Sequence, residues 1–467
     1  MLPNNIILLT DSYKVTHWKQ YPPKTTNIYS YFESRGGKYP AVTFFGLQYF
    51  IKNYLEGQVV TKEKIDEAES FITEHLGTSD LFNREGWEHI LKEHDGRLPV
   101  RIKAVPEGTT VPNLNVLMTI ENTDPKCHWL TNYLETLLVQ VWYPSTVATQ
   151  SRECKKLITK FATETGNPDL VIFKLHDFGF RGVSSYESAA IGGAAHLVNF
   201  QGTDTLASIV LTKNYYDSGM TGFSIPASEH STITSWGQNG ELDAFKNMLD
   251  KYPTGAIACV SDSYDIYNAC KNLWGDELRG KIFKREGTLI VRPDSGTPTT
   301  VVNKVLNILG EAFGAEENEK GFKVLPDQIR VIQGDGVNLD SIHEILSTMK
   351  ANGWSTDNIA FGMGGALLQK LDRDTQKFAF KCSNATIDGK ETPVWKDPIT
   401  DPGKISKRGR LGLFHYDGIG YKTETITDKG STTPDILQTV FENGELIKEY
   451  TFDEIRDNAK INTLKKV

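Results

Sequence analysis

The chain has 467 residues and a formal net charge of −8, so no global basic field draws in nucleic acid or an anionic membrane surface. It is long enough for two domains and has an ordinary globular composition, so any phosphorylated ligand must be held by local cations. Cys127, Cys154, Cys259, Cys270 and Cys382 lack CxxC spacing, which reads as reduced thiols in the cytoplasm and not as disulfides or a zinc site.

In chain order, the first 14 residues hold one brief apolar run, Ile6 to Leu9, too short for a signal peptide or a membrane span. Asp11 or Ser12 can cap a short helix that Pro22-Pro23 ends, and NIYSYFES (27–34) alternates like a half-exposed strand. From composition alone, Tyr13 reads as a packed tyrosine and Arg35 as a solvated arginine. Residues 41–95 carry helical periodicity, and residues 98–120 read as short strands broken by Pro and Gly. Residues 127–164 read as helix interrupted at Pro144, with Trp129, Leu134, Leu137 and Leu138 as a core stripe.

From residue 170 an apolar, β-branched run repeatedly stops at polar residues. The stops are 176–182 (HDFGFRG), 202–204 (GTD), 228–231 (SEHS), 261–265 (SDSYD), 292–296 (RPDSG), 334–336 (GDG) and 362–365 (GMGG). Amphipathic helical segments lie between them. Strand, polar turn and helix in repetition predict a parallel α/β barrel in preference to a doubly wound sheet, with the strand ends lining one mouth. Two successive glycine loops, at Gly334-Asp335-Gly336 and Gly362-Met363-Gly364-Gly365, suit close approach of a phosphate. Asp262, Asp265, Asp294 and Asp335 are expected to converge there, which fits Mg²⁺ carried by a substrate phosphate or the hydroxyls of a ribose.

After Arg373 the pattern changes to hairpins with Asp-Gly and Asn-Gly turns, then a short helix at FDEIRDNAK. These pieces are expected to join the N-terminal β unit in a second, α+β domain of residues 1–150 plus 378–467, with the barrel, 151–377, inserted between. Lys381, Lys396, Lys404, Lys407, Arg408 and Arg410 give this region a basic face.

The stretches TDSYKVTHWKQYPP, YSYFESR, LHDFGFRGVSS, HLVNFQGTDT, ASEHSTITSWG, VSDSYDIYNAC, RPDSG, VIQGDGV, FGMGGALLQK and FDEIRDNA, in this order and almost end to end, resemble the nicotinamide phosphoribosyltransferase family. The resemblance implies a type II phosphoribosyltransferase barrel that joins nicotinamide to 5-phosphoribosyl 1-pyrophosphate. It also implies Mg²⁺, coupled ATP hydrolysis, and a cytoplasmic homodimer with active sites shared across the interface. It places Phe178 on one face of the pyridine ring and the partner subunit's Tyr13 on the other, with Asp204 accepting from the carboxamide. Arg181 and Arg292 would hold the pyrophosphate or carboxamide side. Asp294 would bind the ribose hydroxyls, with Ser261 and Asp265 nearby, and Asp265 and Asp294 are the candidate Mg²⁺ ligands. Gly334, Asp335, Gly364 and Gly365 would surround the ribose and its 5-phosphate. Arg35, Arg373, Lys381, Lys396 and Lys404 would meet the remaining phosphates. His230 would be phosphorylated by ATP and, with Arg292 and Asp294, form the catalytic set.

Two departures from the family pattern stand out: Ala366 replaces the third glycine of the glycine loop, and the segment after YFE-x-R is shortened to residues 36–39. Three other readings compete. A nicotinate phosphoribosyltransferase is disfavoured by the carboxylate of Asp204. A barrel lyase or isomerase would want a lysine or glutamate base at a strand end. A non-catalytic nucleotide-binding or signalling protein would not need the full set of polar strand ends.

Overall fold

The computed structural model describes residues 5–401, 404–426 and 433–461. The chain divides into two compact units: one is built from residues up to Thr149 with Asn214–Ser218 and Asp372–Lys460, the other from Gln150–Lys213 and Gly219–Leu371. The small piece Asn214–Ser218 goes with the first unit because Tyr216 is fully buried there, stacked on Phe45 at 5.3 Å and edge-on to Phe452.

In the first unit, N- and C-terminal segments share one antiparallel sheet. Its order is Lys390–Pro393, Phe378–Ile387, Thr25–Ser34, Val116–Asn122, Val100–Ala104, Gln438–Glu442 and Glu445–Leu446. The turn residues Asn443 (φ 50°) and Gly444 (φ 86°) both lie in the left-handed region that a two-residue hairpin needs. Strand Thr25–Ser34 is not half-exposed as its alternation predicts: its last seven residues are buried. The polar residues that create the alternation are satisfied internally. Ser30 donates to Asn132 at 2.7 Å, and Glu33 is ion-paired with Arg35 and Lys407. The helices Lys62–Leu76 and Arg84–Glu93 start at the caps Thr61 and Asn83. Pro144 does not interrupt a helix. Short turns from Leu130 to Val141 lead into Trp142–Thr165, and Pro144 sits in the first turn of that helix, where a missing N–H costs nothing.

The second unit is a ring of parallel strands. Gly202–Thr203, Leu175–Asp177, Ile359–Met363, Ile329–Gln333, Leu289–Arg292 and Ile257–Val260 pair in that order. The two open edges are joined by the segment 223–227, through parallel bridges of Phe223 to Gly202 and of Ala227 to Ala258. Around the ring the strands follow chain order, which is the α/β barrel expected. The second expected strand is largely absent: AAHLV is the end of helix Tyr186–Leu197, and only Gly202 and Thr203 pair. Its alanines and glycines are small enough to let that helix lie buried on the barrel from Ala189 to Leu197. Apolar runs of this length fit either a strand or a buried helix.

Lys174 closes the seam between the first and last strands. Its Nζ donates to the carbonyls of Thr356, Asp357 and Ile359 at 2.9–3.1 Å, and burial pushes its pKa down to about 8. Lys174→Met should lower stability by about 3 kcal/mol. Three buried carbonyls lose a donor at about 1–3 kcal/mol each, partly offset by removing a buried charge. A thermal melt reads this directly, and an unchanged midpoint would show that the ammonium does not hold the seam.

Candidate active site

The barrel encloses a cavity of about 240 Å³ lined by Phe178, Asp204 and Arg292, with His176, Ser224 and Ala258 among its walls. Phe178 leaves the strand Leu175–Asp177 with its N–H bonded to the Met363 carbonyl at 3.0 Å. Its ring lies against Gly362 so closely that a Cβ there would fall 2.0 Å from Phe178 Cε2. Glycine at 362 is therefore what lets the aromatic ring lie flat at the strand end.

Buried Asp177 ties two loops together. Its carboxylate accepts from the Gly179 N–H at 2.7 Å, and its carbonyl accepts from the Asp204 N–H at 3.0 Å. Burial raises its pKa to about 6. Asp204 itself is exposed and accepts from the Ser224 hydroxyl. Beside it, His176 donates from Nε2 to the Phe173 carbonyl at 3.0 Å, and burial lowers its pKa, which disfavours an imidazolium that would offset Asp204. Arg292 reaches the same cavity with a buried Nε that has no protein partner, while its Nη2 lies 3.6 Å from Asp294. Arg181 is exposed on the turn Phe180–Gly182, outside the cavity lining.

The carboxylates divide their work. His230 opens the short helix His230–Thr234, with Nε2 3.0 Å from Asp262 Oδ1 and Nδ1 4.0 Å from Asp294 Oδ2. The other oxygen of Asp262 accepts from the Asp294 N–H at 3.0 Å and the Ser295 hydroxyl at 2.5 Å. Asp262 thus orients both His230 and the 294 loop, a role that its place among the strand-end aspartates hinted at but could not assign. Glu229, next to His230 in sequence, instead accepts from Ser231. Burial raises the pKa of Asp294, with Arg292 opposing and Asp262 and Asp335 reinforcing the shift.

Two groups expected near the ligand also carry structural bonds. Ser261 is fully buried, donating to the Cys259 carbonyl at 2.9 Å and accepting from Trp274 Nε1 at 3.1 Å, so its hydroxyl is spent inside the barrel wall. Asp265 caps the helix Ile266–Asn268, one oxygen accepting from the N–H groups of Tyr267 and Asn268. The cap leaves the second oxygen of exposed Asp265 available, so the carboxylates open to a hard cation such as Mg²⁺ are Asp265, Asp294 and Asp335, which suits an ion that takes one or two carboxylates and otherwise substrate phosphate.

The glycine loops differ from each other. Gly336 (φ 67°) makes the turn after strand Ile329–Gln333, and the loop is pinned by Gln333 donating to the Asp335 carbonyl at 2.7 Å. A Cβ on Gly334 would sit 3.3 Å from Asp294 Oδ1 and 3.6 Å from the Phe178 ring. The first N–H groups of helix Leu339–Ala351 are already taken by Asn338, so an anion here would meet loop amides and not that helix end. Gly365 has neither a positive φ nor any neighbour within 4 Å of a Cβ, so nothing in the protein requires glycine there.

In the first unit the two composition-based expectations are reversed. Tyr13 is 61% exposed, and Arg35 is mostly buried, donating from Nε to Glu33 at 3.1 Å with a buried, unpartnered Nη2. Lys381 is half-buried, and its pKa is lowered by burial and by Arg35, Lys396 and Arg373, so these four cations form one cluster. Lys404 stands exposed, paired with Asp401 at 3.0 Å. Among the described residues, no helix is long and apolar enough to cross a membrane.

A parallel barrel with glycine turns at two strand ends, carboxylates at the others and an aromatic-lined cavity between defines the type II phosphoribosyltransferase class. Residues 173–445 match the nicotinate phosphoribosyltransferase (NAPRTase) family, and residues 5–102 match the nicotinamide phosphoribosyltransferase N-terminal domain. The chain is 51% identical to a nicotinamide phosphoribosyltransferase of Xanthomonas campestris pv. campestris over 98% of both chains. It is 33% identical to a nicotinamide phosphoribosyltransferase of Acinetobacter baylyi over 96% of this chain and 95% of that one. In fold it is similar to the crystal structure of nicotinate-nucleotide pyrophosphorylase from Pyrococcus furiosus, with a TM-score of 0.60 at 17% identity over 98% of this chain and 96% of that chain. The chain belongs to the nicotinamide phosphoribosyltransferase family.

Proposed function

We propose that this protein transfers the 5-phosphoribosyl group of 5-phosphoribosyl 1-pyrophosphate to nicotinamide, giving nicotinamide mononucleotide and pyrophosphate in NAD salvage. The observation that supports it is the grouping of Phe178, Asp204 and Arg292 around one cavity beside Asp294 and the Gly334 turn. Nicotinamide is a flat, weak nucleophile, and a stacked ring with a fixed carboxamide aims its nitrogen at the anomeric carbon. Asp204 accepts from the carboxamide NH₂, and Arg292 donates from its free Nε to the carboxamide oxygen or the departing pyrophosphate. Asp294 accepts from the ribose hydroxyls, and the Gly334 and Gly365 turns receive the 5-phosphate. Asp294, with Asp265 or Asp335, would hold Mg²⁺ together with substrate oxygens, and the bound ion would supply charge stabilisation of the leaving group.

His230 couples ATP to this reaction. With Nε2–H given to Asp262, Nδ1 carries the lone pair that attacks the γ-phosphate. A P–N bond forms, the bond to ADP breaks, and water later hydrolyses the phosphohistidine. The exposed ring of Tyr13 supports a homodimer in which it completes the partner's nicotinamide site, with Arg35, Arg373, Lys381 and Lys396 meeting phosphates. Five free thiols support a reducing, cytoplasmic setting.

The test is product formation from 5-phosphoribosyl 1-pyrophosphate and Mg²⁺ with nicotinamide or nicotinate, each with and without ATP. Nicotinamide mononucleotide from the amide alone, increased by ATP, is expected. Product from nicotinate in preference to nicotinamide would overturn the assignment of Asp204.

A further inference from the structure

A second constellation of donors lies in the first unit, built from two segments that the catalytic reading does not use. His89 lies in the last turns of helix Arg84–Glu93 and His94 follows its end, while Asp124 caps the short helix Pro125–Cys127. Nε2 of His89 and Nε2 of His94 each lie 2.7 Å from the same oxygen, Asp124 Oδ2. The two rings are inclined at 73° with centroids 5.7 Å apart, so both nitrogens point at one spot. The ligand atoms of His89, His94, Asp124 and Cys127 all lie within 4.8 Å of one another.

We propose that these four residues form a binding site for a borderline-soft divalent metal ion of the Zn²⁺ type. Two imidazoles, one carboxylate and one thiolate are a tetrahedral donor set of the kind such an ion selects. With bonds of about 2.0–2.3 Å, tetrahedral ligands sit about 3.3–3.7 Å apart. The histidine–aspartate contacts need to open by roughly half an ångström, and the thiol has to close in, for the ion to enter. The remaining oxygen of Asp124 accepts from the Lys126 N–H at 2.8 Å, which holds the carboxylate facing the histidines. Cys127 is fully buried, whereas His89, His94 and Asp124 are 18%, 25% and 18% exposed, so the ion has a way in from solvent on one side.

The site escapes a search by cysteine spacing because it uses a single cysteine. Its position gives it a structural purpose. It clips the end of one helix to the turn that leads into the helices from Leu130, where Glu135 and Thr136 anchor Lys14 and Asp11 on either side of Tyr13.

The test strips the full-length protein with a chelator and titrates it with Zn²⁺, and in parallel with Co²⁺ as a spectroscopic probe. Expected are one Zn²⁺ per chain, a raised melting temperature, and a thiolate-to-cobalt charge-transfer band that Cys127→Ser removes. The double variant His89→Gln with His94→Gln should bind Zn²⁺ at least about 100-fold more weakly, since losing direct ligands exceeds the cost of losing their outer hydrogen-bond partners. Asp124→Asn keeps a helix-capping oxygen and guards against a simple folding defect. It should lose the metal-induced shift while melting, metal-free, close to the parent. No Zn²⁺ uptake by the stripped parent overturns the proposal. So does a melting shift that persists in the double-histidine variant, or a charge-transfer band that survives in Cys127→Ser.

Discussion

His230→Ala should abolish ATP hydrolysis, by about 10³-fold or more, while phosphoribosyl transfer measured without ATP remains detectable. The expectation rests on the division of labour around the imidazole. Asp262 takes Nε2 at 3.0 Å, leaving Nδ1 as the free nitrogen, 4.0 Å from Asp294. Nicotinamide, in contrast, is expected in the cavity lined by Phe178, Asp204 and Arg292, of which His230 is not a wall. A phosphoryl group on Nδ1 would add negative charge next to Asp294 and change the field in which pyrophosphate binds and leaves. The measurement is ADP release with and without nicotinamide, together with mononucleotide formation at fixed 5-phosphoribosyl 1-pyrophosphate. Undiminished ADP release from the variant would remove His230 from the ATP reaction. Trapping of ³²P on the parent but not on the variant would place the phosphate on this side chain.

Asp204→Ala should lower kcat/KM for nicotinamide by about 10²-fold, because a hydrogen bond to a charged acceptor contributes about 1.5–3 kcal/mol. It should also erode the choice between amide and acid. A nicotinate carboxylate roughly 4 Å from Asp204 is repelled by about 4 kcal/mol at an effective dielectric near 20, close to a thousandfold. Burial lowers the pKa of His176, which disfavours a neighbouring cation that would cancel that repulsion. The fold should hardly notice, since Asp204 is exposed and its side chain accepts only from Ser224 among the described side-chain bonds. Parallel kinetics with both substrates and a melting curve separate the effects. Unchanged efficiency toward nicotinamide would withdraw the role, and a collapse in melting temperature would make the residue structural.

Much of this molecule is legible along the chain because it depends on local patterning. The strand–turn–helix repetition announces the barrel, and Asn443-Gly444 announces its hairpin because only residues that accept positive φ fit there. Candidate site residues such as Phe178, Asp204 and Asp294 are found from sequence because each lies just past a strand that ends abruptly, and Arg292 because it ends one. What fails is any reading that requires knowing a neighbour. Thr25–Ser34 looks half-exposed until Asn132, Arg35 and Lys407 are seen to satisfy its polar side chains. The run before Gly202 looks like a strand, although its small residues pack a buried helix.

Motifs and periodicity along the chain are enough for the family, the barrel and the identity of the residues at the strand ends. Which of those residues are free to act emerges only once the strands are packed together. Ser261 is consumed by Cys259 and Trp274, and Asp265 gives one oxygen to a helix end, whereas Asp262 is delivered to His230 from a strand end 32 residues away. The physical reason is that a hydroxyl or carboxylate has the same identity in every sequence context. Its availability depends on donors and acceptors brought to it by other strands.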